Sequence, residues 1–251
     1  MNTPRQIVNW TWISFVAMLF VFASCNREDA PDCFQSAGTY ATEERSLDSF
    51  SVIELNDYIQ YELCDTNYYG VLITAPGNLI ADIETEVEAG RLTIRNRNKC
   101  NFVRSYKSRI TIRICAPDFK DIQNYATGDI ITVNAIEGHR FSMDNRSAAG
   151  VHRLFLNVDT VNIATHTGVS DAIVSGQCDV VYLFNQGVGV LDARELQSQS
   201  AYVNNSSLNN MYVNVRDYLY AYILFSGSVF YEGNPASIDQ TVDGSGSLRP
   251  L

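Results

Sequence analysis

Histidine, tryptophan and proline are scarce in this chain: three, two and six among 251 residues. His139, His152 and His166 are spaced by 13 and 14 residues. That spacing fits no metal-binding pattern, and they read as scattered surface or turn positions. No cysteines are spaced CxxC and no histidine pair lies beside them, so a zinc site is not expected. GxSxG, HExxH and a phosphate-cradling glycine loop ahead of a helix are absent as well. No stretch of ten or more residues carries the 3.6-residue apolar period of an amphipathic helix. Neither a metal, a cofactor nor a catalytic residue is expected.

Positive charge is also short, with 18 Lys and Arg against 28 Asp and Glu. Neutralising phosphates takes grouped cations, so nucleic acid is not an expected partner. The densest basic stretch, residues 91–113, alternates with apolar residues in RLTIRNR and SRITIRIC. It reads as the solvated face of strands, with an anion or polysaccharide patch as the sharper alternative.

The N-terminus has the layout of an export signal. Arg5 precedes an apolar stretch from Ile7 to Ala23, roughly 17 residues and near the lower limit for a membrane span. Asn9, Thr11 and Ser14 interrupt it, and FASC, ending at Cys25, resembles a lipobox. Residues 1–24 therefore read as a signal peptide, Cys25 as the lipidation site, and residues 25–45 as the lipidated cysteine and a polar, acidic tether. Acyl chains on Cys25 would hold the protein to a membrane, each buried methylene contributing about 0.8 kcal/mol. Loss of residues 1–24 removes Arg5 and no acid, leaving 18 − 1 = 17 basic against 28 acidic residues, a balance of −11. The acidic run after Cys25 resembles an outer-face sorting signal, which predicts an outer-membrane lipoprotein displayed at the surface. In that oxidising setting the other five cysteines, Cys33, Cys64, Cys100, Cys115 and Cys178, predict one or two disulfides and at least one free thiol. Cys33–Cys100 is the pairing expected first, because it would tie the tether to the body.

From Phe50 onward the pattern is that of strands: FSVIELNDYIQYELC, then YYGVLITA, broken at Pro76-Gly77-Asn78. NLIADIETEVEAGRLTIR reads as strand, turn and strand about Ala89-Gly90. The second half then repeats at an interval of 20. Val161, Val181, Ala201 and Ala221 align, as do Ile163, Leu183, Val203 and Ile223. Phe141 and Met143 extend these inward columns one repeat earlier. Small-residue turns recur at Gly128, Gly150, Gly168, Gly187, Ser207, Gly227 and Gly244, where tight bends are expected to need positive φ. A fixed period with turns in register indicates a solenoid whose repeats bury their apolar faces on one another. The predicted fold is an all-β, right-handed parallel β-helix with coils of roughly 20 residues. Residues 46–251 form one elongated unit in this reading, with a strand-rich start over 46–117 and regular coils over 118–251. The short polar segment SIDQTVDGSGSLRPL reads as its cap.

FSVIELNDYIQYEL, NLIADIETEVEAGRLTIRN and YEGNPASIDQTVDGSGSL resemble the bacterial GIN-domain proteins described as putative auto-transporter adhesin heads. The resemblance covers roughly Ser46 to Leu251. It implies a right-handed β-solenoid built on GSGD-like turns, here replaced by ATGD, TGVSD and FSGS, and an exported lipoprotein with an adhesin label. It carries no ligand and no catalytic residue.

Between the inward columns lie Asn162, Tyr182, Tyr202 and Tyr222. Neighbours in a strand face opposite sides, so Tyr182, Tyr202 and Tyr222 are expected to stack as an exposed aromatic ladder. Such a ladder offers a platform for sugar rings or a protein partner, or simply stabilises the wall. Asn204, Asn205, Asn209, Asn210 and Asn214 read as corner residues that satisfy backbone groups, with a glycan-binding edge as the alternative. Asp159, Asp171, Asp179 and Asp192 are 12, 8 and 13 apart, which is read as different columns and no acidic ladder. The expected function is a non-enzymatic, lipid-anchored surface binding protein for glycans or extracellular proteins. The alternatives are a polysaccharide-acting enzyme and a structural envelope protein without a ligand.

Overall fold

The computed structural model describes residues 37–98 and 109–251. The signal peptide, Cys25 and the Cys33–Cys100 pairing lie outside these residues. The protein is 66% strand and 2% helix, wound as a β-solenoid of about 6 turns with coils of about 20 residues. The first strands are β1 (Tyr40–Ser46), β2 (Val52–Leu55), β3 (Gln60–Asp65) and β4 (Gly70–Pro76). A single helical turn, α1 (Gly77–Ile80), leads to β5 (Ile83–Glu88), β6 (Arg91–Asn96), β7 (Thr111–Ala116), β8 (Asp121–Asn124) and β9 (Ile130–Thr132). The long strands follow: β10 (Ile136–Ala148), β11 (Val151–Gly168), β12 (Asp171–Asn185), β13 (Leu191–Asn205) and β14 (Met211–Ile223). The chain ends with β15 (Val229–Glu232), β16 (Ser237–Val242) and β17 (Leu248–Pro250).

The regular coils have three walls, and the long strands bend from one wall to the next. The first wall stacks residues 141–145, 161–165, 181–185 and 201–205 in parallel register; the second stacks 151–155 on 171–175; the third stacks 156–157 on 176–177 and 196–197. On the first wall Val161 pairs with Val181 and Val181 with Ala201, all fully buried. Phe141 and Met143 extend the same columns backward, opposite Val161 and Ile163. Buried positions alternate along each wall, but at the third corner the parity slips. Cys178 and Val181 face inward while Asp179 and Val180 between them face outward.

The 20-residue register does not persist into the next coil. Ala201 pairs with Leu219 rather than Ala221, and Tyr202 with Tyr220 rather than Tyr222. The cause is a bulge in β13. Ala193 still pairs with Val213, but Gln197 pairs with Asn214, so three residues are left out, and one is regained between Ser198 and Ser200. The coil is thus two residues short, and both columns aligned by the repeat shift with it.

The start of the solenoid is not wound in sequence order. β2 lies between β6 and β8, and β3 between β7 and β9, all in parallel pairings. β5 and β6 form an antiparallel hairpin whose turn residues, Ala89 and Gly90, both have positive φ. The basic stretch here is paired with acids: Arg97 Nε with Glu84 at 2.8 Å, Arg113 with Glu62 at 2.8 Å, and Arg91 and Arg95 with Glu54. These strand faces are solvated and locally neutralised.

The turn glycines are there for two different reasons. Gly168 has φ +107, as expected of a tight bend. Gly227 does not, but a Cβ there would lie 2.1 Å from the Asn209 carbonyl oxygen, as one on Gly168 would from the Ala148 carbonyl oxygen, so the neighbouring coil excludes a side chain at both. The all-exposed strand β16 closes the stack on the first wall. Among the described residues no helix is long and apolar enough to cross a membrane.

Candidate functional site

The outward side of the first wall is aromatic. Tyr182 and Tyr202 are paired in register, with ring centroids 5.0 Å apart and planes inclined by 14°. They remain 44% and 37% exposed, as their alternation with buried Val181, Leu183, Ala201 and Val203 dictates. The Tyr218 ring meets Tyr202 edge-on at 5.7 Å. Because of the short coil, Tyr220 stands in register on Tyr202, and Tyr222 stands opposite Asn204. Tyr222 belongs to the same face but not to the expected column. The face holds an open depression of about 430 Å³ lined by Asn162, Tyr182, Phe184, Tyr202, Tyr220 and Tyr222, among others.

The ends of this face are tied to the cap. The Tyr218 hydroxyl donates to Asp239 at 3.0 Å and the Tyr222 hydroxyl to Asp243 at 2.9 Å. These carboxylate partners raise both phenol pKa values. Tyr182, Tyr202 and Tyr220 make no hydrogen bond through their hydroxyls among the described residues. The central rings are the ones free to meet a ligand.

Behind the face runs a buried polar column that was only partly visible in the repeat. Asn124, Asn145, Thr165, Asn185 and Asn205 stack in register at the end of the first wall. Asn124 Nδ2 donates to Asn145 Oδ1 at 2.8 Å. Asn185 takes the Gly187 amide at 3.1 Å and donates to the Gly189 carbonyl at 2.9 Å. Asn205 bonds Ser207 and Asn209 in the same way. Asn209 also donates to the Val188 carbonyl, Asn210 accepts from Ser228 at 3.0 Å, and Asn214 donates to the Arg194 carbonyl at 3.0 Å. Asn205, Asn209, Asn210 and Asn214 are thus corner residues that satisfy backbone groups. Asn204 differs: among the described residues its side chain bonds only the Ser206 hydroxyl, which donates to Oδ1.

Two readings of the polar residues are corrected. His152 is not a surface residue: it is fully buried in a column whose other members are Ile130, Ala172, Leu191, Met211 and Val229. Burial pushes its pKa down to about 4. His139 and His166 do lie at the surface, near Asp159 and Asp144. The second correction concerns the acids. Asp159 and Asp179 are one coil apart and share a groove at the third corner, so they do form a short ladder. Asp171 and Asp192 lie elsewhere; Asp171 accepts from the Val190 amide at 2.8 Å. At Asp192 burial opposes the charge, but hydrogen bonds from Arg194 outweigh it and hold the pKa down. Asp159 is hydrogen-bonded to His139 and its side chain is 60% exposed. Among the described residues no group of three or more His, Cys, Asp or Glu could hold a metal ion.

Comparison with known proteins gives a matching family model and structures of like fold. Residues 49–235 match the family model described as putative auto-transporter adhesin, head GIN domain. A putative adhesin from Bacteroides fragilis has a similar structure at 19% identity and TM-score 0.77, over 85% of this chain and 97% of that one. A putative adhesin from Parabacteroides distasonis aligns at 15% identity and TM-score 0.65, over 85% and 98%. A third structure, described as a putative lipid binding protein from the same organism, aligns at 20% identity and TM-score 0.65, over 85% and 97%. At these identities the likeness is one of fold. No curated protein matches by sequence.

Proposed function

The chain belongs to the family described as putative auto-transporter adhesin, head GIN domain, and on that premise we propose an exported, lipid-anchored, non-enzymatic surface protein that binds glycan or protein partners through its first wall. The stacked, exposed pair Tyr182 and Tyr202 carries this reading. Stacked rings stabilise a sheet wall, and rings that stay exposed with free hydroxyls also suit the apolar face of a sugar or a protein contact. Lipid on Cys25 would hold the solenoid at the outer membrane with this lateral face accessible.

Binding of the full chain to arrays of glycans and extracellular matrix proteins tests the reading, with the triple variant Tyr182→Ala, Tyr202→Ala and Tyr220→Ala beside it. A loss of at least tenfold is expected on the ligand that the parent captures. Unchanged binding by a folded variant would overturn the platform. Cys25→Ala is expected to shift the protein from the membrane fraction to the soluble fraction, and retention in the membrane would remove the lipid anchor.

A further inference from the structure

The third corner carries a second surface, chemically unlike the tyrosine face. Asn157, Gln177 and Gln197 stack in register across three coils. Two residues further on stand Asp159, Asp179 and Gln199, and Arg216 closes the far end of the groove they share, a cavity of about 330 Å³. The sequence writes this as NVD, QCD and QSQ at 157, 177 and 197. The middle residue of each triplet, Val158, Cys178 and Ser198, is buried, so the two outer ones point outward side by side.

We propose that this groove binds an extended, neutral glycan lying parallel to the solenoid axis. A sugar hydroxyl both donates and accepts a hydrogen bond. Each of the first two coils offers a matching set, with amide N–H groups to donate and a carboxylate to accept. The side chains of Asn157, Gln177, Gln197 and Arg216 make no hydrogen bond or ion pair among the described residues. Gln199 holds Asp179 in place, donating to Oδ1 at 2.9 Å. Burial pushes the Cys178 thiol up to about 12, so it lines the floor without acting as a nucleophile.

Spacing selects the ligand class. Successive coils advance by about 4.8 Å, whereas an extended peptide advances by about 3.3 Å per residue and falls out of step. One pyranose unit of a straight glycan chain spans about one coil. Charge selects against acidic sugars: His139 pairs with Asp159, but Asp179 is left without a cationic partner in a chain of net charge −10, and among the described residues Arg216 is the one Lys or Arg lining the groove. In the next coil Asn214 stands in register on Gln197, but its Nδ2 is taken by the Arg194 carbonyl, so the free amides end after three coils and about three units fill the groove. The tyrosine face contributes none of these groups, and the assignment does not depend on it.

Calorimetric titration of the full chain with neutral β-1,4-linked oligosaccharides of two to six units tests the proposal, with oligogalacturonates as the acidic series. Neutral oligomers are expected to bind, with affinity rising to three or four units and then levelling. Gln177→Ala with Gln197→Ala is expected to weaken binding at least tenfold without lowering the melting temperature. Gln177→Glu, which keeps the shape but loses the donor, is expected to do the same should the double variant fold poorly. Tyr182→Ala with Tyr202→Ala is expected to leave this binding unchanged. Absence of neutral binding, preference for the acidic series, or parental affinity in the glutamine variants would each overturn the assignment.

Discussion

The Nε2 of His152 lies 3.3 Å from the Nδ2 of Asn124, inside the solenoid where two coils meet. Asn124 Nδ2 can only donate, so Nε2 accepts and the ring proton sits on Nδ1. Nδ1 has no well-aligned partner, and although the Ala149 backbone favours the protonated ring, desolvation dominates.

Stability is therefore expected to fall with pH between the unfolded histidine value, near 6.5, and about 4. In that window the unfolded chain binds the proton and the folded chain does not, so acid favours unfolding by about 3 kcal/mol across it. Urea midpoints measured from pH 7 to pH 4 check this. The His152→Gln variant should lose the histidine part of the slope, and an unchanged slope would remove the role of His152.

Two glycines with positive φ separate strain from exclusion. Gly176, φ +113, would bring a Cβ to 2.0 Å from the Leu156 carbonyl oxygen, whereas Gly138, φ +141, has nothing within 4 Å. Gly138→Ala is expected to cost about 1 to 2 kcal/mol from backbone strain, and Gly176→Ala about 3 kcal/mol or more because the coils must part. Equal losses in denaturant melts would show that the close approach at Gly176 relaxes.

The asparagine column predicts a similar contrast. Asn185→Ala removes two buried partners, from Gly187 and Gly189, and is expected to cost about 2 to 4 kcal/mol. Half-buried Asn204 accepts a single hydrogen bond, from the hydroxyl of Ser206, which can turn to another acceptor, so Asn204→Ala is expected to cost about 1 kcal/mol. Chemical denaturation of the two variants reads the difference.

Cys64 and Cys115 stand directly opposite one another on β3 and β7, and adjacent strands lie within the Cα separation that a disulfide spans. Glutathione disulfide is expected to join them, each cysteine losing its thiol hydrogen while the oxidant is reduced to two thiols. Peptide mapping under non-reducing conditions should recover Cys64 and Cys115 in one linked fragment. Separate fragments after full oxidation would exclude the bridge.

The inward columns were legible because burial imposes the same residue type on every coil, as at Val161, Val181 and Ala201. The place of Tyr222 was not, because a bulge in β13 is a backbone event between residues with no turn signature. His152 was unreadable for a related reason: its in-register neighbours lie 22 and 20 residues away, and only the pairing with Ile130 and Ala172 reveals an apolar column. Asp159 and Asp179 do carry the 20-residue interval, which spacing between successive acids conceals and spacing by coil exposes. Asn145, Thr165, Asn185 and Asn205 carry it too.

The interleaved start has a consequence for how the chain is made. On a ribosome β2 and β3 emerge before the strands on either side of them, the last of which ends at Thr132. They must wait with at least one edge open until Thr132 has been made, whereas each later coil can settle on the one before it as it appears. The part up to Thr132 is thus a single cooperative knot that closes late, and the rest is a stack that grows by accretion. Trimming coils from the C-terminus should shorten the protein, whereas cutting into β2 should dissolve its foundation.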